Sequence, residues 1–225
     1  MSNYINVFAI VEGKTEQDFI LTIVAPYLIK KRIFITPIQV SKPGSKGGDV
    51  KFSRVKSDIE RHLKQRQDTF VTTFLDLYGL HEWPNLEDII AEQNHENMIA
   101  KLYDVTDKAF KEIFDEYAVE KRIIPYFAIY EFEALLFSDP SKLASGIGCS
   151  TESVEKIVQT CGEPERINNS LQTAPSKRLD ELSPRGRFKK TTDGIAIARE
   201  IGIERMREKC PQFNTWLNRL ETLNV

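Results

Sequence analysis

The chain has 225 residues, a hydrophobic share of 41% and a charged share of 28%. That is the composition of a folded globular protein with room for one substantial core, and it excludes a disordered or fibrous chain. A formal charge of −2 excludes a generally basic nucleic-acid binder, so any such contact must come from local patches.

The opening MSNYINVFAIVEGK lacks a basic n-region and a small-residue cleavage site, and no apolar run reaches the length of a membrane span. A cytoplasmic location is therefore expected. Cys149, Cys161 and Cys210 are odd in number and too scattered for a zinc site or a disulfide framework.

The first predicted strand is Ile5 to Val11, ending at Glu12 and turning at Gly13 into a helix of about Glu16 to Lys30. Thr15 followed by Asp18 has the spacing of a capping box, which places the helix start at or beside Thr15. A β-branched run, Ile33 to Val40, gives a second strand. Residues 41–54 are Gly-rich and basic and read as a loop, followed by a helix from Arg54 to Arg66. The third strand, Phe70 to Leu75, runs into Asp76-Leu77-Tyr78-Gly79. An amphipathic helix is expected over Glu96 to Tyr117. A fourth strand, Ile123 to Tyr130, leads straight into a helix carrying Glu131 and Glu133. Residues 138–225 read as helical fragments. The pattern predicts an α/β fold with a mostly parallel four-stranded sheet over residues 1–137, and a helical extension over 138–225 packed on it.

Gly13-Lys14-Thr15 invites comparison with a phosphate-binding loop, and the comparison fails. That loop needs a glycine five positions before Gly13, where Phe8 stands, and Glu12 would face the phosphate. What the segment offers instead is an acid at a strand end. Three strands end this way: at Glu12, at Asp76, and at Glu131 with Glu133. In a parallel sheet such ends share one edge, so the acids converge although far apart in sequence. Crowded carboxylates oppose one another's ionisation, and a hard divalent cation, Mg²⁺ or Mn²⁺, resolves that conflict with oxygen ligands. Such an ion is the tool of phosphoryl-transfer chemistry.

Glu12-Gly13-Lys14-Thr15-Glu16 resembles the E-G-x-x-E motif of the Toprim domain, found in topoisomerases, bacterial primases and the overcoming-lysogenization-defect nucleases. Asp76-Leu77-Tyr78-Gly79 is similar to the D-x-D-x-x-G motif of those proteins, but Tyr78 replaces the second Asp and the glycine comes early. With Phe132-Glu133-Ala134-Leu135-Leu136-Phe137, the chain looks most like a bacterial group of Toprim-like proteins often encoded beside an ATPase in defence loci. The resemblance implies a metal-dependent nuclease acting on DNA or RNA, with an ATPase partner. Glu12 and Asp76 would hold the ion, and Glu131 or Glu133 would supply the ligand that Tyr78 lacks. Glu16 would serve as a further ligand or general base, and Lys14 would steady the scissile phosphate. The alternative is a degenerate, non-catalytic Toprim regulator that binds nucleic acid or the ATPase.

Two basic groups are candidate nucleic-acid contacts. Lys46, Lys51 and Arg54 lie in or beside the Gly-rich loop; Lys177, Arg178, Arg185, Arg187, Lys189 and Lys190 crowd into a stretch whose only acids are Asp180 and Glu181. His81, five residues after Asp76, is an additional acid–base candidate.

Overall fold

The computed structural model describes residues 4–42, 45–46, 50–168, 173–184 and 188–223. Strand β1 (Ile5–Val11) is followed by a continuous helical run from Lys14 to Lys31. That run is built of α1 (Lys14–Phe19), a π-helical turn, α2 (Ala25–Leu28) and a closing 3₁₀ turn. Arg32, in a left-handed conformation, ends it and delivers the chain into β2 (Ile33–Gln39). The segment read as a loop is not wholly irregular. β3 (Ser41–Lys42) pairs antiparallel with β4 (Ser45–Lys46), β5 (Val50–Lys51) pairs with a later strand, and α3 (Phe52–Gln65) begins earlier than expected. Asp58 of α3 anchors the start of this hairpin, accepting from Ser41 N–H (2.8 Å) and Ser41 Oγ (2.7 Å).

β6 (Thr69–Asp76) is buried along its whole length, and β7 (Leu80–His81) pairs with β5. Helices α4 (Leu86–Ile90), α5 (His95–Ile113) and α6 (Val119–Arg122) follow. The predicted fourth strand is split into β8 (Ile123–Ile124) and β9 (Phe127–Ala128), both parallel to β6. Pro125 causes the break, because it has no N–H to give the ladder. Threonine hydroxyls cover the gap: Thr72 Oγ1 donates to Ile124 O, and Thr73 Oγ1 both accepts from Tyr126 N–H and donates to Tyr126 O. The expected helix after it is a 3₁₀ helix, Phe132–Ser138.

The main sheet therefore runs β2-β1-β6-β8, with β9 also on β6, and all of these pairings are parallel. Side chains alternate between its faces. Val7, Ala9, Phe70 and Phe74 enter one core with α1 and α2; Ile10, Val71 and Leu75 enter the other with α3 and α5.

The C-terminal segment completes the first of these cores. It comprises α7 (Pro140–Ile147), α8 (Thr151–Cys161), α9 (Pro175–Leu182), a π-helical turn at Lys190–Gly194, α10 (Ile195–Ile201), α11 (Ile203–Lys209) and α12 (Pro211–Glu221). Trp216 of α12 stacks on Tyr126 at 4.9 Å and donates from Nε1 to Thr72 Oγ1 at 2.8 Å. Among the described residues, no helix is long and apolar enough to cross a membrane.

Glu165 holds α12 in place and is 2% exposed. Its carboxylate accepts from Gln212 N–H (2.8 Å) and Phe213 N–H (3.0 Å), the otherwise unpaired donors of the first turn. Burial outweighs these bonds and pushes its pKa up to about 7. The folded state thus binds this proton more tightly than the unfolded chain, where the ordinary value is 4.5. Stability from this group is greatest at low pH and is lost as pH rises from about 4.5 to about 7, by something on the order of 3 kcal/mol. Glu165→Gln should lack that component. Denaturant unfolding of both proteins across this window checks it, and parallel pH profiles would contradict it.

Candidate acidic site at the sheet edge

The carboxyl ends of β1 and β6, and the chain leaving β9, meet at one edge. Glu12 follows β1 directly, and its position constrains Gly79. A Cβ on Gly79 would lie 2.1 Å from Glu12 Oε2, so only glycine fits there while Glu12 keeps its place. Gly13, not Thr15, is the N-cap of α1, and Glu16 reaches back to accept from Gly13 N–H at 2.9 Å. The capping box expected at Thr15 is therefore displaced by two residues, and Thr15 is buried within the first turn. Asp76 ends β6 and accepts from Phe132 N–H at 2.9 Å, which ties the strand end to the 3₁₀ helix.

These acids are withdrawn from water. Glu16 and Asp76 are each 7% exposed and Glu133 only 1%. Burial raises the proton affinity of all four of Glu12, Glu16, Asp76 and Glu133, and their mutual repulsion raises that of Glu12, Glu16 and Asp76 further. The Glu133 carboxyl is pushed up to about 6. Glu12 Oε2 and both Glu133 oxygens are buried without an aligned hydrogen-bond donor. Groups in that condition are costly unless something else contacts them.

Among the described residues, one cation approaches Glu133. Lys190 Nζ lies 2.9 Å from Glu133 Oε1 and 3.8 Å from Glu131 Oε1. Burial opposes its charge, but Glu133 and Glu131 outweigh that and hold its pKa above the ordinary lysine value. Its field also acts on Glu12, Glu16 and Asp76. Glu131 is differently placed. Both its oxygens are engaged at the start of α9, accepting from Ser176 N–H (2.8 Å) and Ser176 Oγ (2.9 Å).

The other candidates are dispersed. Lys14 pairs along the helix with Asp18 at 2.5 Å, and its side chain is mostly exposed. Tyr78 accepts from Asn168 Nδ2 and packs beside Tyr130, 5.5 Å between ring centroids. Tyr130 itself has φ of 72°, a conformation unfavourable for a bulky side chain. His81 is exposed in β7. Lys51 is paired with Glu82, and Arg54 lies half-buried in α3. The backbone of Lys46 lies in β4, while its side chain is outside the described part. Lys177 and Arg178 lie in α9, where Arg178 Nε donates to Thr173 O at 3.1 Å. Lys189 is exposed. Arg185 and Arg187 fall outside the described residues. Lys190, grouped by sequence with the basic run, belongs to the acidic site instead. Its signal in the sequence was only its charge, which also fitted a substrate grip.

Among the described residues, no group of three or more His, Cys, Asp or Glu side chains is arranged to hold a metal ion as it stands. The donor chemistry nevertheless suits a hard cation: the oxygen donors are carboxylates, Glu12 Oε2 has no hydrogen-bond donor among the described residues, and Glu133 meets only the Lys190 ammonium.

Fold and site together define a parallel α/β protein with a buried acidic cluster at the carboxyl edge of its sheet. The chain belongs to the DUF4276 family, a domain of unknown function, whose profile matches residues 11–221. No curated protein and no solved structure matches it.

Proposed function

We propose that this chain is a Toprim-like, Mg²⁺- or Mn²⁺-dependent nuclease that hydrolyses phosphodiester bonds in DNA or RNA, working with an ATPase partner in antiviral defence. The observation that carries the reading is the meeting of Glu12, Asp76 and Glu133 at one sheet edge, where burial and mutual repulsion oppose the Asp76 charge and Glu12 Oε2 is buried without a hydrogen-bond donor among the described residues. Those three residues would hold the ion. Glu131 is the weaker candidate, because Ser176 already engages both its oxygens.

A bound divalent ion would neutralise phosphate charge and make its water a stronger nucleophile. Glu16 has its proton affinity raised by burial and by Glu12, which suits it to accept a proton from attacking water. Lys14 would have to leave Asp18 to reach a phosphate. Positive charge for the polyanion would come from Lys46, Lys51 and Arg54 on one side and from Lys177, Arg178, Arg185, Arg187 and Lys189 on the other.

The regulatory reading keeps one observation in its favour: Lys190 already neutralises part of the cluster without any metal. Mn²⁺ separates the two. A ligand that binds only the folded state at 100 times its Kd stabilises by about 2.7 kcal/mol, a shift of several degrees for a chain of this size. The nuclease reading expects this shift in the wild type and its loss in Glu12→Gln. A melting temperature indifferent to Mn²⁺ favours the regulator.

A further inference from the structure

We infer that Lys190 is an exchangeable internal counter-ion: its ammonium occupies the acidic cluster until a divalent cation displaces it, and so it sets the metal affinity of the site. The inference rests on the metal-dependent reading above and extends it to a residue outside the sheet.

Three observations lead there. First, the cluster is overcharged. Glu16, Asp76 and Glu133 are buried together, with half-buried Glu12 beside them and Glu131 at the border. Second, the lysine is held by one close contact: Lys190 Nζ lies 2.9 Å from Glu133 Oε1 and 3.8 Å from Glu131 Oε1, and Glu133 Oε2 has no aligned donor among the described residues. An ion pair with one half-exposed partner adds little to stability. Third, the lysine has somewhere to go. Its side chain is 44% exposed, and it opens the π-helical turn Lys190–Gly194 rather than sitting inside a packed helix. A flexible stem ending in a compact charge can swing out to water without disturbing the core.

Exchange also accounts for an otherwise awkward fact. The carboxylates are chemically suited to a cation, yet they are not arranged around one. With an ammonium already against Glu133, they need not be. A competitor that holds the site for most of the time lowers apparent affinity by the fraction of time the site is free. Once displaced, the ammonium stands at the mouth of the site, where the negative charge of a phosphate would arrive.

The test is Mn²⁺ binding, by calorimetry and by thermal shift, to the wild type, Lys190→Met and Lys190→Arg. Lys190→Met should bind Mn²⁺ at least tenfold more tightly than the wild type, and Lys190→Arg, which keeps the charge, should not. If Lys190→Met is unfolded in chelator, Mn²⁺ should restore its fold, since the ion replaces the lost ammonium. Failure of Mn²⁺ to restore it would show a structural lysine and overturn the exchange. Equal affinity in wild type and Lys190→Met overturns the exchange alone. Indifference of all three proteins to Mn²⁺ overturns the metal site with it.

Discussion

Trp216→Ala should destabilise the protein by about 3–5 kcal/mol, enough to leave much of a marginally stable chain unfolded at 37 °C. The side chain is 2% exposed and lies against Tyr126, Phe74 and Phe213, with ring centroids 4.9, 5.4 and 5.6 Å away. Removing it empties the middle of an aromatic cluster and deprives Thr72 Oγ1 of its donor. Trp216→Phe keeps most of the volume and loses only the N–H, which should cost nearer 1 kcal/mol. Chemical denaturation distinguishes the two. Similar small losses in both would mean that α12 is an appendage. A corollary concerns the division at residue 137. The extension covers the Phe74 face of the sheet and delivers Lys190 to its edge, so residues 1–137 alone lack half a core and part of the site.

Asp76→Asn should have opposite effects on stability and activity. In the metal-free protein at pH 8, burial and the repulsion of Glu16, Glu12 and Glu133 all oppose the Asp76 charge. Asparagine removes that charge, and its Oδ1 can still accept from Phe132 N–H. Unfolding should therefore become harder by about 1–2 kcal/mol, the usual gain when a strained functional residue is replaced. Mn²⁺ should no longer add stability. A variant less stable than the wild type in chelator would mean that the charge is satisfied and serves the fold.

The sequence and the structure agree where periodicity and strand ends speak directly. The apolar run Ile5–Val11, the β-branched run Ile33–Val40, and acids directly after the strands, pointed to the sheet and its acidic edge. Pro125 was visible in the sequence, but its effect was not, because two threonine hydroxyls on β6 keep the broken strand in register. The start of α1 moved because Glu16 caps Gly13 from within the helix, a bond that Thr15 and Asp18 disguise by having the same spacing. Gly79 had a motif but no reason until Glu12 was seen against it.

Lys190 was the residue least legible. The need for positive charge among the acids follows from electrostatics alone, but nothing local says which cation meets it. A lysine in a run of basic residues reads as surface. Only the packing of the π-helical turn against the 3₁₀ helix of Glu133 brings the two charges together.

The central claim is that the sheet-edge acids carry out metal-dependent cleavage of nucleic acid. It is tested most directly by incubating end-labelled single- and double-stranded DNA and RNA with the full chain in Mg²⁺, Mn²⁺ or chelator, beside Asp76→Asn prepared identically. The expected result is cleavage of at least one substrate with Mg²⁺ or Mn²⁺, none in chelator, and a loss of about 10²–10³-fold or more in Asp76→Asn, the scale on which removing one group that stabilises transition-state charge acts. Cleavage that persists in chelator, or at the same rate in Asp76→Asn, would contradict it.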